Sequence, residues 1–175
     1  MRRKVLIFSG LLLTASLGFY CLKVHKSETP ITEIPRADKV LVLKSERKLH
    51  LLRKGKVIKT YTISLGDDPI GHKQREGDER TPEGNYILDW RNSKSSCYKS
   101  IHISYPNEED KKRAKKMKVS PGGDIMIHGL HPGIEWMGQL HCKKDWTDGC
   151  IAVTNEEMDE IWKSVKNGIS IEIKK

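Results

Sequence analysis

Little in this sequence is aromatic, nothing in it repeats, and no Cys-x-x-Cys occurs in it. Phe, Trp and Tyr make up 6% of its 175 residues. The absence of an internal period excludes a solenoid or propeller. The absence of Cys-x-x-Cys leaves a thiol–disulfide redox role without its usual motif. Hydrophobic residues are 37% and charged residues 31%, a balance that excludes both a disordered chain and a multispan membrane protein. The first 22 residues hold no acidic residue at all.

That acid-free segment sets the compartment. Arg2, Arg3 and Lys4 precede 18 uncharged residues, Val5 to Leu22. This is the order of a basic region and an apolar region in a secretory signal. Ser16 and Gly18 offer a cut after Gly18, and the same stretch is long enough to stay as a membrane anchor. Tyr20 before Cys21 is too bulky for a lipoprotein acylation site. Residues 1–22 therefore read as signal peptide or anchor, with inner-membrane attachment through residues 5–22 in the second case. Residues 23–37, with Pro30 and Pro35, read as a linker, and one domain fills 38–175. Removing the leader's three positive residues from the net charge of +9 leaves +6. Such a surface favours anionic surroundings, and export makes nucleic acid an unsuitable partner.

The body reads as mainly β with a few helices, a sandwich or barrel. Lys39–Leu43 is a short apolar strand, and Leu49–Leu52 and Val57–Leu65 flank a Lys54-Gly55 hairpin turn. In the second arm Val57, Tyr61, Ile63 and Leu65 share one face, broken by Lys59. Residues 66–84 form a long Gly- and Pro-punctuated loop, and a loop of that length is usually functional. Tyr86, Leu88 and Trp90 alternate, then Ile101, Ile103 and Tyr105. Asn107 caps a helix to about Lys118 whose acids lie in the first turn; its Lys/Arg run is a solvated face. Ile125 and Ile127 mark a further strand. Asn155–Val165, capped by Thr154 or Asn155, carries the stripe Met158, Ile161, Trp162 and Val165. Gly168 ends it before a strand at Ile169, Ile171 and Ile173.

The chemistry concentrates between His128 and Cys150. A thiol needs a base to become a nucleophile, and an imidazole titrates near working pH. Gly149 lets the backbone approach a substrate carbonyl, and the Gly149 and Cys150 amides are candidate oxyanion donors. The same residues also read blandly, His128 as a hydrogen-bonded strand-end histidine and Cys150 as a buried apolar residue or half a disulfide.

The segment Ile127-His128-Gly129 and, further on, Asp145-Trp146-Thr147-Asp148-Gly149-Cys150-Ile151 resembles the catalytic motif of the L,D-transpeptidase catalytic-domain (YkuD-type) family. The loop from Gly66 through Pro69, Gly71, Lys73, Gly77, Asp78 and Arg80-Thr81-Pro82-Glu83-Gly84 resembles that family's second signature. The resemblance covers residues 38–174. It implies a β-rich catalytic domain and no cofactor. Cys150 would be the nucleophile, His128 the base and the Gly129 carbonyl its orienting group. The substrate would be a peptidoglycan stem peptide, attacked beside the diamino acid's L-centre to give a thioester that an amine or water resolves. Family members include cross-linkers, enzymes that anchor proteins to the wall and amidases, so a wall-anchored protein is a further partner implied.

Two departures stand out. Asp148 replaces a commonly found His, and Ala152 replaces a common Arg or Asn. The Trp146–Ala152 variant looks like a Gram-negative subgroup. Losing the Arg removes a carboxylate clamp, for which Arg80 or Lys73 are substitutes; Trp146, Thr147 and Asp148 complete the candidate substrate contacts. Two rival readings compete. His128, His131, His141, Cys142 and Cys150 include enough ligand types for zinc, but no spacing matches a zinc pattern, so no metal is expected. A non-catalytic wall-binding module would usually have lost the Cys or the His. Finally, an exported domain meets oxidising conditions, and Cys97 and Cys142 are the pair left for a disulfide unless each is a small apolar filler.

Overall fold

Period-two alternation of apolar and polar residues builds eight strands among the described residues. The computed structural model describes residues 34–175, so the leader 1–22 and most of the linker 23–37 lie outside the described residues. Strands β1 (Lys39–Leu43) and β2 (Lys48–Arg53) are antiparallel neighbours that bury Val40, Val42, Leu49 and Leu51. β2 turns into β3 (Lys56–Thr62) through Lys54 and Gly55, whose φ values of 51° and 75° suit the right-handed twist of a tight hairpin.

One expected face is not kept. Val57 is 52% exposed. The register shifts between Leu51, which pairs with Lys59, and Leu52, which pairs with Val57. This bulge turns the start of β3 away from the core, and only Tyr61, Ile63 and Leu65 are buried.

The other strands are β4 (Gly84–Ser95), β5 (Tyr98–Ile103), β6 (Met126–His128), β7 (Ile151–Ala152) and β8 (Ile169–Lys174). They form one sheet in the order β3-β2-β1-β8-β4-β5-β6-β7. Just past β3, Ser64 and Ala152 exchange backbone hydrogen bonds of 3.0 and 2.9 Å. The two outermost strands therefore meet, and the sheet curls towards a barrel rather than stacking as a sandwich.

Helix α1 (Glu108–Met117) starts where Asn107 accepts from the Glu109 and Asp110 amides, while Asp110 returns a bond to the Asn107 N–H. This reciprocal cap satisfies amides that the helix itself cannot. Helix α2 (Asn155–Ser164) is capped by Thr154 with Glu157 in the same manner. Its Met158 and Ile161 are fully buried against the sheet. Trp162 is half-buried, and the Arg91 guanidinium lies 3.7 Å from its ring centre. A 3₁₀ segment, Glu135–Lys143, kinks at Gly138 and presents Trp136 to solvent. No helix among the described residues is long and apolar enough to cross a membrane.

Candidate active site

His128 ends β6, and Cys150 immediately precedes β7. These strands run parallel, with Ile127 opposite Ile151 and His128 opposite Ala152. The pairing brings the Met126 N–H to 3.4 Å from Cys150 Sγ. Met126 and His128 are two residues apart and share one side of the strand. The strand that carries the imidazole therefore also holds the thiol.

His128 is buried, and its Nδ1 lies 2.6 Å from the Gly129 carbonyl oxygen. A carbonyl only accepts, so Nδ1 carries the proton and Nε2 keeps a free lone pair. Burial pulls the imidazole pKa down to about 4, against the opposing pull of the Gly129 bond. Burial likewise pushes the Cys150 thiol up to about 11, with a smaller contribution from nearby Asp148. The thiol donates to the Asp124 carbonyl at 3.5 Å. At rest both groups are neutral through the whole middle of the pH range.

The turn before the cysteine is braced from within. Thr147 Oγ1 donates to the Cys150 carbonyl at 2.7 Å and accepts from the Gly149 N–H at 3.2 Å. Gly149 has φ +122°, and a Cβ there would stand 2.6 Å from the Arg80 carbonyl oxygen. Only glycine fits. Of the two amides expected to face an oxyanion, that of Gly149 is thus engaged by Thr147 in this structure.

A groove of about 630 Å³ opens over these residues. Trp146 and Asp148 line it, and Trp146 stands edge-on to His128 with ring centres 5.9 Å apart. Thr147 lines it too, although its hydroxyl faces the turn. Lining residues that the sequence reading did not place in the groove include Cys97, Ser100 and His131. Cys97 sits at the β4–β5 hairpin, its Sγ 3.3 Å from His131 Nε2. Ser100 pairs across the sheet with His128, and its buried hydroxyl has no partner among the described residues. The alternating arms on either side of Ser96-Cys97 were the available signal for that hairpin; nothing in the sequence announced that its tip would reach His131.

The long loop takes a different place from the one expected. Lys73 is 3% exposed, and its ammonium is paired with Asp78 at 2.8 Å. Asp78 also accepts from the Gln74, Arg75 and Arg80 amides. Lys73 thus braces the loop from within. The Arg80 guanidinium pairs with Asp68 at 3.0 Å and lines a separate cavity with Met117 and Val119. What the loop gives the site is backbone: the Arg80 carbonyl backs Gly149.

Cys97 and Cys142 do not form the considered disulfide; both are free thiols, as is Cys150. Cys142 lies near the Thr62 carbonyl, while Cys97 is in the groove. Among the described residues no three metal-ligating side chains converge, because His141 faces Ser64 and Trp146 while His128 faces Gly129.

The family model for the L,D-transpeptidase catalytic domain (YkuD) matches residues 37–173. The chain is 28% identical to YafK of Escherichia coli K12, a protein provisionally classed as an L,D-transpeptidase; the match covers 95% of this chain and 65% of that one. Among solved structures it resembles the helical cell shape determining protein Pgp2 of Campylobacter jejuni, with TM-score 0.58 and 23% identity over 82% of this chain and 51% of that one. It also resembles an L,D-transpeptidase from Xylanimonas cellulosilytica, with TM-score 0.52 and 16% identity over 80% and 61% of the respective chains. At these identities the structural likeness concerns the fold. The chain spans just under two thirds of its curated relative and about half of Pgp2.

Proposed function

The chain belongs to the L,D-transpeptidase catalytic-domain family, and from that premise we propose that it is a cysteine-dependent acyltransferase acting on peptidoglycan stem peptides in the cell envelope. The observation that carries this reading is a single groove holding the Cys150 thiol and the His128 imidazole at the ends of adjacent parallel strands, with the imidazole's proton fixed on Nδ1.

The chemistry follows from the neutral resting pair. With values of about 11 and about 4, moving the proton from sulfur to imidazole in the empty groove costs on the order of 10 kcal/mol before the ions' mutual attraction is counted. A standing thiolate is therefore disfavoured. His128 Nε2 takes the thiol proton as Sγ bonds to the carbonyl carbon beside the diamino acid's L-centre. The Cys150 N–H is the donor proposed for the resulting oxyanion. The imidazolium then gives its proton to the leaving amine, the C–N bond breaks and a thioester remains. An amine closes the cycle as a transpeptidation, and water closes it as a hydrolysis.

One observation favours the hydrolytic, amidase-like variant. Among the described residues no Lys or Arg lines the groove, so a leaving group that carries a free carboxylate meets no described cation there. A bond linking the diamino acid to a wall-anchored protein is a better fit in charge. Both variants place the domain outside the cytoplasm, in keeping with the leader.

The deciding experiment incubates the exported domain with defined muropeptides and reads the products by mass spectrometry. Cross-linked or cleaved product should appear, and Cys150→Ala and His128→Ala should each lower the rate by at least about a thousandfold. Near-native turnover by Cys150→Ser would overturn the mechanism. Binding without turnover by the unaltered protein would leave a wall-binding module.

A further inference from the structure

We infer that Asn155 is a positioning residue for this site, its side-chain carbonyl fixing the peptide that orients His128. The inference rests on the reading of Cys150 and His128 as the reacting pair. Asn155 Oδ1 accepts the Leu130 N–H at 2.8 Å. That N–H and the Gly129 C=O belong to one peptide unit, which is planar and trans, so the two groups point in opposite directions. Holding the N–H aims the carbonyl. The carbonyl in turn receives His128 Nδ1–H at 2.6 Å and leaves Nε2 unprotonated for the thiol.

Three further features support the assignment. Asn155 is the first residue of α2, directly after the Thr154 cap, so its side chain projects from a rigid element only five residues past Cys150. This side-chain bond adds to the β6–β7 pairing that already joins the segments carrying nucleophile and base. Gly129 permits the approach, since a Cβ at that position would lie 2.6 Å from Asn155 Oδ1 and 3.0 Å from Tyr98 Cβ. The glycine that follows His128 is therefore explained by Asn155 on one side and Tyr98 on the other. The Gly129 N–H meanwhile donates to the Lys99 carbonyl at 3.2 Å, which holds the preceding peptide as well.

The test compares Asn155→Ala with Asn155→Asp in the full exported domain. Asn155→Ala should lower kcat about ten- to a hundredfold with KM within about twofold, the range seen when supporting hydrogen bonds around catalytic groups are removed. Asn155→Asp keeps the accepting oxygen and should recover most of kcat. Its added negative charge should move the acid limb of the pH profile upward. Nitrogen NMR of the imidazole gives a readout free of substrate: a single Nδ1–H tautomer for His128 in the unaltered protein and in Asn155→Asp, a mixture in Asn155→Ala. An unchanged kcat and tautomer in Asn155→Ala would overturn the inference, and so would an Asn155→Asp as impaired as Asn155→Ala. If the unaltered protein turns over no muropeptide, the functional reading fails while the tautomer measurement still decides Asn155.

Discussion

Lys44 and Glu83 form an ion pair of 2.9 Å beneath the long loop, with the lysine side chain 3% exposed. The same ammonium donates to the Thr81 and Gly71 carbonyls. One buried cation thus fastens both ends of the loop to the end of β1. Burial lowers the Lys44 pKa, and Glu83 opposes that shift. Removing the cation leaves two carbonyls and a carboxylate without their donor, so Lys44→Ala should destabilise the domain by about 3 kcal/mol. The pair Lys111–Glu108 is solvent-exposed and screened, and Lys111→Ala should be close to neutral. Urea unfolding of the two variants measures the contrast; equal effects would contradict it.

Activity should persist well below the pH at which an ordinary histidine protonates. His128 must be neutral to accept the thiol proton, and burial holds its pKa near 4. The acid limb of kcat/KM is expected close to pH 4, and a limb at 6.5 would mean that the site is wetter than its geometry indicates. Stability carries the same signature. Between pH 4 and 6.5 the unfolded chain binds the proton that the folded chain refuses, so stability rises with pH across that window. The contribution is complete above 6.5, lost as pH falls towards 4 and worth about 3 kcal/mol. Cys150, with its pKa raised to about 11, acts on the other flank: stability should fall as pH rises from 9 to 11.

Arg80→Ala should leave KM for muropeptides within about twofold, because its guanidinium is turned to Asp68 and away from the Cys150 groove. A tenfold rise in KM would return the loop's side chains to the substrate. Substitutions that disturb the Arg80 backbone should act differently, through Gly149, and lower kcat.

Alkylation of the denatured, unreduced protein should label Cys97, Cys142 and Cys150 alike. In the folded protein Cys150 should react slowly at pH 7 and much faster near pH 11, since burial disfavours its thiolate. Protection of Cys97 and Cys142 together in the denatured sample would reinstate the bridge.

Much of this fold is written in local pattern. The Lys54-Gly55 turn, the Asn107 cap, the stripe on α2 and the Ile169, Ile171, Ile173 alternation each depend on residues within a few positions of one another. They appear in the structure where the sequence places them. The site was legible only where two motifs could be read in order. Val57 was misread because a bulge is a property of two strands, and the partners of Lys73 and Arg80 were not legible because a charge on a loop does not announce what it pairs with. Cys97 and Ser100 reach the groove through pairing with residues about 30 positions away, for which the local pattern holds no record.

The sheet order has a kinetic consequence. β8, at the end of the described chain, lies between β1 and β4, and Val40 pairs with Ile171 across more than a hundred residues. The Ser64–Ala152 closure spans a similarly long separation. Each such contact must wait for a large loop to close, and chains dominated by pairings of this kind fold slowly. A polypeptide synthesised amino end first cannot complete its central sheet until β8 has emerged. Until that strand is available the central sheet stays open, and the thiol site that the sheet supports stays unassembled.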